Sequence, residues 1–475
     1  MVFSSNIFLF LFLPGFLAAY YLTPNRHRLR NYVVLFGSWA FYAWWRVDFL
    51  LLFIAVTAWN YGIGMAIDRH GAKTLAARRW LQLGVVVDLA LLAWFKYANF
   101  GAASLNTAME GIGLQGFTLA HVILPIGISF YVFESISYIA DVYRGDCRAT
   151  RHPVDFATFI ALFPHLIAGP VFRYKDLAGQ FEQREHSVGL MGEGAMRFMQ
   201  GFVKKVFIAD TIAPMVAQAF ALTEPSTADA WLGALAYTAQ LYFDFSGYSD
   251  MAIGLGLMMG FRFVENFNQP YISQSITEFW RRWHISLSAW LRDYLYIALG
   301  GNRGGVSKTY RNLFLTMLLG GLWHGANWTF VIWGAWHGLI LCVERVLGVK
   351  ADATGFRVTR WAMTFLFVLL GWVMFRAEHV SDALRLYAAM FRFDGVGLSD
   401  VYAGGISQLQ LLTLALAALL VVIGGLRVRL GLGLGERLPW KLPAAAMHVL
   451  LWPLFLLAVL KLSAQSYSPF LYFQF

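Results

Sequence analysis

Apolar stretches long enough to cross a lipid bilayer recur along the whole length of this 475-residue sequence. The hydrocarbon core of a bilayer is about 30 Å thick, so a helix that crosses it needs roughly 20 residues. Hydrophobic residues make up 59% of the chain and charged residues 13%, a composition outside the usual range of water-soluble proteins. The sequence therefore predicts an all-α, polytopic membrane protein. Residues 6–22 have no basic region before them and no cleavage site after them, which predicts a retained segment rather than a cleaved signal.

Basic residues lie between the apolar stretches and alternate between the two sides of the predicted spans. Short cytoplasmic loops of membrane proteins collect Lys and Arg. The loops after the first, third and fifth predicted spans are basic, whereas the loop around Val47 and residues 101–117 carry almost no positive charge. The pattern predicts about ten crossings, ending with residues 444–460, and both termini on the outer side. It also argues against nucleic acid as a partner, although 37 basic residues face 27 acidic ones.

Two apolar segments do not fit as full spans. Residues 156–170 contain Pro164, His165 and Gly169, and such helix breakers are tolerated at membrane depth only inside protein or beside a cavity. Residues 312–323 are only 12 residues, or roughly 18 Å as a helix. We predict that both segments are re-entrant and that each carries a histidine into the membrane.

The second of these segments ends in Trp323-His324-Gly325. An imidazole has an unperturbed pKa near neutrality, so it can take a proton from a hydroxyl or thiol and return it. Because ionisable groups inside a membrane are costly, His324 is a catalytic candidate. The alternative is a structural histidine that is tied to a backbone carbonyl where a helix turns.

A second Trp-His-Gly triplet places His337 13 residues after His324. If one helix joined them, the two side chains would lie more than half a turn and roughly 20 Å apart, so a simple metal pair is excluded. We predict that His337 is a packed histidine at a helix end. Cys147 and Cys342 have no metal-type spacing and are predicted to be structural, and no metal site is expected.

A capping-box pattern, Ser-x-x-Glu, predicts that a helix begins near Ile276. Apolar residues then recur at steps of three and four, which predicts one amphipathic helix lying along the membrane interface. His284 adjoins this apolar stripe and faces the interior as a catalytic or substrate-positioning candidate. The stripe consists of Trp283, Leu287, Trp290, Leu291 and Tyr294.

Three arginines border the stripe, and two aspartates lie in a neighbouring apolar segment. Arg281, Arg282 and Arg292 could bind phosphates bidentately or could meet anionic lipid head groups. Asp244 and Asp250 are six residues apart, so on a helix they point about 240° apart and are not a paired acid and base. Structural hydrogen bonding is the predicted role of these two carboxylates.

Four segments resemble the membrane-bound O-acyltransferase family. They are residues 243–254, 277–288 and 320–327, together with the ending Lys461-Leu462-Ser463-Ala464-Gln465-Ser466. The resemblance extends over residues 1–475 as a single membrane domain and is densest over 124–337. It implies a ring of tilted helices around a central tunnel, with His324 catalytic and His284 also important.

The resemblance also implies a donor and partners. Acetyl would leave cytoplasmic acetyl-CoA, a substrate rather than a bound cofactor, and pass across the bacterial inner membrane. Arg281, Arg282 and Arg292 are the candidates for donor binding. Periplasmic acetyltransferases and a secretion machinery would then complete O-acetylation of an exopolysaccharide. Alginate is the favoured polymer, and cellulose is the alternative.

The chain ends in a short aromatic tail, residues 466–475. It resembles the C-terminal motif of the small membrane peptide that carries D-alanyl groups in teichoic acid modification. The resemblance suggests that Tyr472 carries acetyl transiently, which would divide one difficult transfer into two easier ones. An aromatic anchor at the membrane interface is the alternative.

Two other functions compete with polysaccharide acetylation. A transporter would also contain buried polar groups and broken helices, but transporters usually show internal repeats with paired interrupted segments. The sequence shows no such pairing, which favours the enzyme. Acylation of a lipid or a protein by the same family differs only in the acceptor.

Overall fold

The computed structural model describes residues 1–167, 169–349, 355–393, 395, 397–430 and 444–465, and all regular structure in these ranges is helical. The predicted all-α fold is thereby confirmed for the described part of the chain. The α-helices are α1 (Leu13–Leu22), α2 (His27–Ala43), α3 (Val47–His70), α4 (Leu75–Leu92), α5 (Ala98–Gly111), α6 (Ile128–Arg144), α7 (Pro153–Ala161), α8 (Phe163–Leu166), α9 (Tyr174–Glu182), α10 (Val188–Val203), α11 (Asp210–Ala221), α12 (Thr227–Met258), α13 (Ile276–Arg282), α14 (Ile285–Trp290), α15 (Val306–His324), α16 (Trp328–Val346), α17 (Val358–Arg376), α18 (Val380–Arg392), α19 (Asp400–Gly405), α20 (Gln408–Arg429) and α21 (Ala444–Gln465).

Several helices have the length and apolar character that a membrane crossing requires. Within the described ranges, five meet both conditions, and the shorter helices Phe8–Leu22 and Val449–Ala464 are also apolar. These helices support a multi-pass membrane protein, while the count of ten crossings stays a prediction. The five are Val47–His70, Leu75–Gly111, Trp328–Val346, Val358–Arg376 and Gln408–Arg429.

The chain forms two compact units. The first comprises Met1–Gly194 with Leu255–Val264, and the second comprises Ala195–Gly254 with Glu265–Phe475. In the first unit, α6 is the central helix, since 14 of its 17 residues are buried and it packs against α3, α4, α7 and α9. Helix α6 is therefore enclosed by two long apolar helices, α3 and α4, and two short ones, α7 and α9.

The predicted break near Pro164 is present in the first unit. Helix α7 ends at Ala161, Leu162 leaves the helical conformation with ψ 101°, and α8 begins at the next residue. His165 is fully buried, and its Nδ1 lies 2.8 Å from Oε1 of the equally buried Glu134. The broken helix and its buried histidine are confirmed, whereas the re-entrant path stays a prediction.

In the second unit, α15 is longer than its apolar segment suggests. It has 19 residues rather than 12, which corresponds to about 28 Å of helix. The added turns are polar and are fixed by local hydrogen bonds, with Thr309 Oγ1 donating to Gly305 O and Asn312 Nδ2 donating to Gly301 O, both at 3.0 Å. The predicted length was wrong because polar capping residues extend the helix beyond its hydrophobic part.

The capping box predicted before Ile276 is present at the start of α13. The Ser275 side chain accepts a hydrogen bond from the Glu278 backbone N–H at 3.0 Å. The α16 residue Glu344 adds a second cap: its carboxylate accepts from the backbone N–H groups of Ile276 and Thr277 and from the Thr277 hydroxyl. Helix α13 is therefore attached at its N-terminus to α16.

The single amphipathic helix predicted over residues 276–294 is wrong. Helix α13 ends two residues before His284, α14 begins one residue after it, and His284 itself has φ 44° and ψ 55°. This left-handed conformation is uncommon for a residue other than glycine. Asn266 supplies the physical reason, because its backbone carbonyl accepts from Ile285 N–H at 3.0 Å and its side-chain oxygen accepts from Ser286 N–H at 3.3 Å. These bonds replace those of a continuous helix.

The apolar stripe itself was predicted correctly despite the break. Every member is buried, so the two short helices still direct one face inward. The members are Trp283, Leu287, Trp290, Leu291 and Tyr294.

Candidate active site

His324 is the last residue of α15, at the tip of the segment where the sequence places it. The rings of Trp323, Trp333 and Phe375 surround the imidazole, with centroids 5.0, 5.1 and 5.4 Å from its own. His324 remains 7% exposed, so the imidazole is desolvated yet still accessible. A histidine in such a place can exchange a proton with a substrate while most water is excluded.

The chain reverses direction immediately after His324. A β-carbon at Gly325 would lie 2.1 Å from a ring carbon of Phe330, so only glycine fits beneath this ring. Asn327 then caps α16, since its side-chain oxygen accepts from the Thr329 backbone N–H at 3.2 Å. The glycine of the first Trp-His-Gly triplet therefore permits the turn that leaves His324 at a helix end.

Glycines also let α15 and α16 pack closely as a hairpin. A β-carbon at Gly321 would lie 2.3 Å from the Phe330 carbonyl oxygen, and one at Gly334 would lie 2.5 Å from the Met317 carbonyl oxygen. Small residues allow such backbone approach between membrane helices. The close approach brings the α16 side chain Trp333 against His324.

His337 lies in the interior of α16, nine residues from either end, and not at a helix end as the sequence analysis predicted. The helix continues because the reversal occurs earlier, at Gly325. His337 is fully buried, as predicted, and neither ring nitrogen has a hydrogen-bond partner within the described ranges. Trp333 lies between the two histidines, with its ring centroid 5.1 Å from that of His324 and 5.0 Å from that of His337.

His284 is fully buried at the break between α13 and α14. Its Nδ1 is 3.1 Å from the side-chain oxygen of Asn266, which also accepts from the Ser286 backbone N–H and, at 2.9 Å, from the Ser286 hydroxyl. A backbone N–H can only donate, so the amide oxygen is correctly placed and Nδ1 carries the proton. Burial lowers the pKa of His284 to about 3. The imidazole is therefore neutral at pH 7, with its lone pair on Nε2.

The structure brings the two predicted catalytic histidines to the same tryptophan. The Trp323 ring centroid is 6.4 Å from that of His284 and 5.0 Å from that of His324. The ring of Phe245 in α12 packs edge to face against the other side of the His284 ring, with 4.7 Å between the two centroids. The Nε2 atom of His284 has no hydrogen-bond partner among the described residues, which makes it an available acceptor in this aromatic surrounding.

The three candidate donor-binding arginines differ in their environments. Arg282 is held in place, since its Nε donates to Glu278 at 2.9 Å and its Nη1 donates to the Asn268 carbonyl at 3.2 Å. Arg292 is exposed and contacts its neighbour Asp293 at 2.6 Å. Arg281 is also exposed. Arg281 and Arg292 are thus accessible to a soluble phosphate, and the role of all three stays a prediction.

The two carboxylates of α12 make separate ion pairs, in agreement with their predicted separation. Asp244 is 2.5 Å from the Lys205 ammonium. Asp250 is 2.7 Å from the Arg197 guanidinium and 2.6 Å from the Lys204 ammonium. The predicted hydrogen bonding of both carboxylates is confirmed. Asp244 neutralises the buried Lys205, whereas the partners of Asp250 are partly exposed.

Two site residues were missed by the sequence analysis. Asn266, which fixes the tautomer of His284, is 18 residues away in sequence and carries no local signal. Trp333 is four residues before His337, so the helical i, i+4 spacing could have identified it. The predicted carrier Tyr472 lies outside the described residues. Within the described ranges no group of three or more potential metal ligands occurs.

The family comparison agrees with this arrangement. Residues 147–380 match the family model of MBOAT, the membrane-bound O-acyltransferase family, and this range contains His284, His324 and His337. The chain therefore belongs to this family and is an acyltransferase, as the resemblance in its motifs predicted.

Individual relatives cover the whole chain. The chain is 60% identical over 501 residues to "Probable alginate O-acetylase AlgI" of Azotobacter vinelandii and 61% identical over 489 residues to the protein of the same name of Pseudomonas putida. Both alignments cover 100% of each chain. It is also 37% identical over 434 residues to "Peptidoglycan O-acetyltransferase" of Helicobacter pylori, covering 84% of this chain and 81% of the relative.

Proposed function

We propose that this protein is a membrane O-acetyltransferase that supplies the acetyl groups for O-acetylation of a secreted polysaccharide, and that the polysaccharide is alginate. The position of His324 carries the proposal, because a desolvated and still accessible imidazole at a helix end is suited to acyl transfer. The names of the full-length relatives support acetyl as the group and alginate as the polymer.

In the proposed reaction, His324 acts as the general base. An acceptor hydroxyl oxygen attacks the carbonyl carbon of the acetyl thioester while His324 takes the hydroxyl proton. The carbon–sulfur bond then breaks, and His324 returns the proton to the thiolate. The products are an acetyl ester and a free thiol, and general-base help of this kind contributes about 10²–10⁴-fold to the rate.

Trp333 is our candidate for stabilising the charge that develops on the carbonyl oxygen. Its indole N–H is buried and has no hydrogen-bond partner within the described ranges. It is also packed edge to face against His324. A donor already held in a dry site needs no reorganisation when the oxyanion forms.

His284 is assigned to substrate positioning through its neutral Nε2. Burial lowers the pKa of His284 to about 3, which makes it a weak proton acceptor, so proton transfer is not assigned to His284. The hydrogen bond from Nδ1 to Asn266 keeps the lone pair of Nε2 available for a substrate donor.

The same proposal includes an acetyl donor and partner proteins. Cytoplasmic acetyl-CoA supplies acetyl, and the exposed Arg281 and Arg292 are candidates for its phosphates, with Arg282 held beside them. The protein would lie in the bacterial inner membrane, where its own helices would form a ring around a central tunnel. Periplasmic acetyltransferases and the secretion machinery would take the group onward. Tyr472 is proposed as the transient carrier.

The test compares the wild type with His324→Ala at equal expression level. Two quantities are measured: the acetyl content of the secreted polysaccharide and coenzyme A release by the purified protein. Loss of both in His324→Ala is expected. Unchanged acetyl content would remove the catalytic assignment and favour the transporter alternative.

A second arm of this experiment concerns the carrier. Tyr472→Phe keeps the aromatic ring and removes the hydroxyl, so polysaccharide acetylation should be lost if Tyr472 carries acetyl. Full acetylation in Tyr472→Phe would eliminate the carrier while leaving His324 as the base.

A further inference from the structure

Two arginines of the first unit meet at one buried tyrosine. The Arg184 Nη2 donates to the Tyr20 hydroxyl at 3.4 Å, and the Arg30 guanidinium carbon lies 5.1 Å from the centroid of the Tyr20 ring. The hydroxyl donates to the Met259 carbonyl at 2.7 Å and is 2.8 Å from His186 Nε2. The two positively charged guanidinium groups therefore lie close together on either side of Tyr20.

Both arginines retain buried donors without partners. Arg30 is 6% exposed and its Nη1 has no hydrogen-bond partner, and Arg184 is 7% exposed and its Nε has none, within the described ranges. No described carboxylate lies within 4.0 Å of either guanidinium. The acid of this region, Asp155, accepts from the Asn31 side chain at 2.7 Å and acts on Arg184 only through longer-range attraction. The other bonds of the two guanidinium groups go to neutral acceptors: Arg30 donates to the Thr23 carbonyl, and Arg184 donates to Asn31 Oδ1 and the Gln180 carbonyl. Neutral acceptors do not neutralise buried charge, so the pair is matched to an anion.

The start of α2 adds to this positive charge. This 17-residue helix has no acidic residue in its first turn, and Arg26, Arg28 and Arg30 surround its N-terminus. The helix dipole places further partial positive charge there, which favours anions. The sequence pattern predicts that this end faces the cytoplasmic side, where the leaflet is rich in anionic lipids.

An apolar groove lies beside the same cluster. It has a volume of about 460 Å³ and runs between the first helix and α2, where Phe12, Phe16 and Ala19 face Val33 and Phe36. Its wall is continuous with the cluster, because the ring of Phe16 stacks on that of Phe12 at 5.9 Å and on that of Tyr20 at 6.2 Å. On α2, Val33 follows Arg30 by three residues, so both lie on one face.

We propose that this unit binds one anionic phospholipid, with its phosphate at Arg30 and Arg184 and an acyl chain in the groove. From Phe12 to Ala19 the groove spans eight residues of helix, a rise of about 10 Å, and accommodates part of an acyl chain. Guanidinium groups bind phosphate oxygens bidentately, so the phosphate would accept hydrogen bonds from the partnerless N–H donors of these two arginines. The apolar groove alone would hold any lipid, and the arginines select an anionic one.

The test uses full-length protein purified in detergent. Phosphatidylglycerol retained per protein molecule is measured by mass spectrometry, and the melting temperature is measured with added phosphatidylglycerol, phosphatidylcholine or inorganic phosphate. Arg30→Gln and Arg184→Gln should each lower the retained phosphatidylglycerol at least about fivefold, the effect of losing about 1 kcal/mol of binding. Arg46→Gln, an exposed arginine paired with Asp48, is the matched control and should change nothing.

A second pair of variants tests the groove without touching charge. A β-carbon at Gly15 meets no atom within 4 Å and Gly15 lines the groove, so Gly15→Leu fills it without a clash. Gly62 of α3 is equally open but lies outside the groove, so Gly62→Leu is its control. Gly15→Leu should lose phosphatidylglycerol and Gly62→Leu should keep it. If an arginine variant does not fold, this pair decides the outcome.

Three results would overturn the proposal. Equal retention of phosphatidylcholine and phosphatidylglycerol would show that the arginines do not select the head group. The same thermal shift with inorganic phosphate alone would indicate a site for a free anion. Wild-type phosphatidylglycerol retention in the folded arginine and Gly15→Leu variants would remove the site itself.

Discussion

The two Trp-His-Gly triplets share their sequence and differ in almost every structural respect. His324 ends α15, keeps 7% of its surface exposed and precedes a chain reversal. His337 lies in the interior of α16 and is fully buried. The two glycines differ as well, since Gly325 makes room for the Phe330 ring and Gly338 makes room for the backbone of Phe314.

The difference shows that a short motif does not by itself define a role. Helix α15 ends after the first triplet, because Gly325 makes room for the Phe330 ring where the chain reverses. Helix α16, in contrast, continues through the second triplet. Accessibility then decides which imidazole can exchange a proton. Trp333 contacts both histidines, so they share a neighbour but differ in exposure.

The strongest way to break this comparison is to give both histidines the same substitution. His324→Leu should lower the rate of coenzyme A release by about 10²–10⁴-fold, because the proposed general base is lost. His337→Leu should keep activity within a few-fold, because neither ring nitrogen makes a hydrogen bond within the described ranges and leucine fills a similar volume. Release is measured on purified proteins at equal concentration. An equal loss in both variants would mean that the triplets are functionally equivalent.

A second experiment sharpens the comparison at Trp333, the tryptophan that contacts both histidines. Trp333→Phe keeps an aromatic ring but removes the indole N–H, so the turnover number should fall on the order of 10²-fold if this group stabilises the oxyanion. The Michaelis constant should change little, since the interaction develops in the transition state. Trp336→Phe is the matched control, because the Trp336 N–H donates to the Phe367 carbonyl at 3.0 Å and has a structural partner. A turnover number unchanged in Trp333→Phe would exclude the oxyanion role.

The smallest expected effect distinguishes the two glycines. In Gly325→Ala the new β-carbon would overlap the Phe330 ring, and overpacking of this kind costs about 1–3 kcal/mol. In Gly338→Ala the nearest atom is 3.2 Å away, so a shift of a few tenths of an ångström relieves the contact and the cost is smaller. Thermal unfolding in detergent measures the difference. A larger loss in Gly338→Ala would indicate that the hairpin contact limits stability more than the turn.

The general features of the fold were predictable because they depend on local pattern. Helical character, the capping box at Ser275, the buried stripe after it and the break near Pro164 all follow from residue spacing or backbone chemistry. The end of α15 at His324 was also correctly placed, since the motif contains a glycine and the apolar run stops there.

The failures arose where distant residues decide the local structure. Asn266 ends α13 and fixes the tautomer of His284, although it is 18 residues away in sequence. The polar first turns of α15 are stabilised by the carbonyls of Gly301 and Gly305, which hydropathy does not show. The neighbours of His324 likewise come from α16 and α17 and depend on how the helices pack.

The left-handed backbone of His284 limits which amino acids can occupy that position. A β-carbon in this region is strained for most L-residues, whereas glycine, asparagine and aspartate tolerate it. An alanine there would remove the imidazole and keep the strain without its compensating bond to Asn266. Asparagine retains a polar side chain at a tolerable backbone cost, but it has no imidazole. The backbone conformation alone therefore favours glycine or asparagine at this position, and a histidine there is kept at a conformational cost.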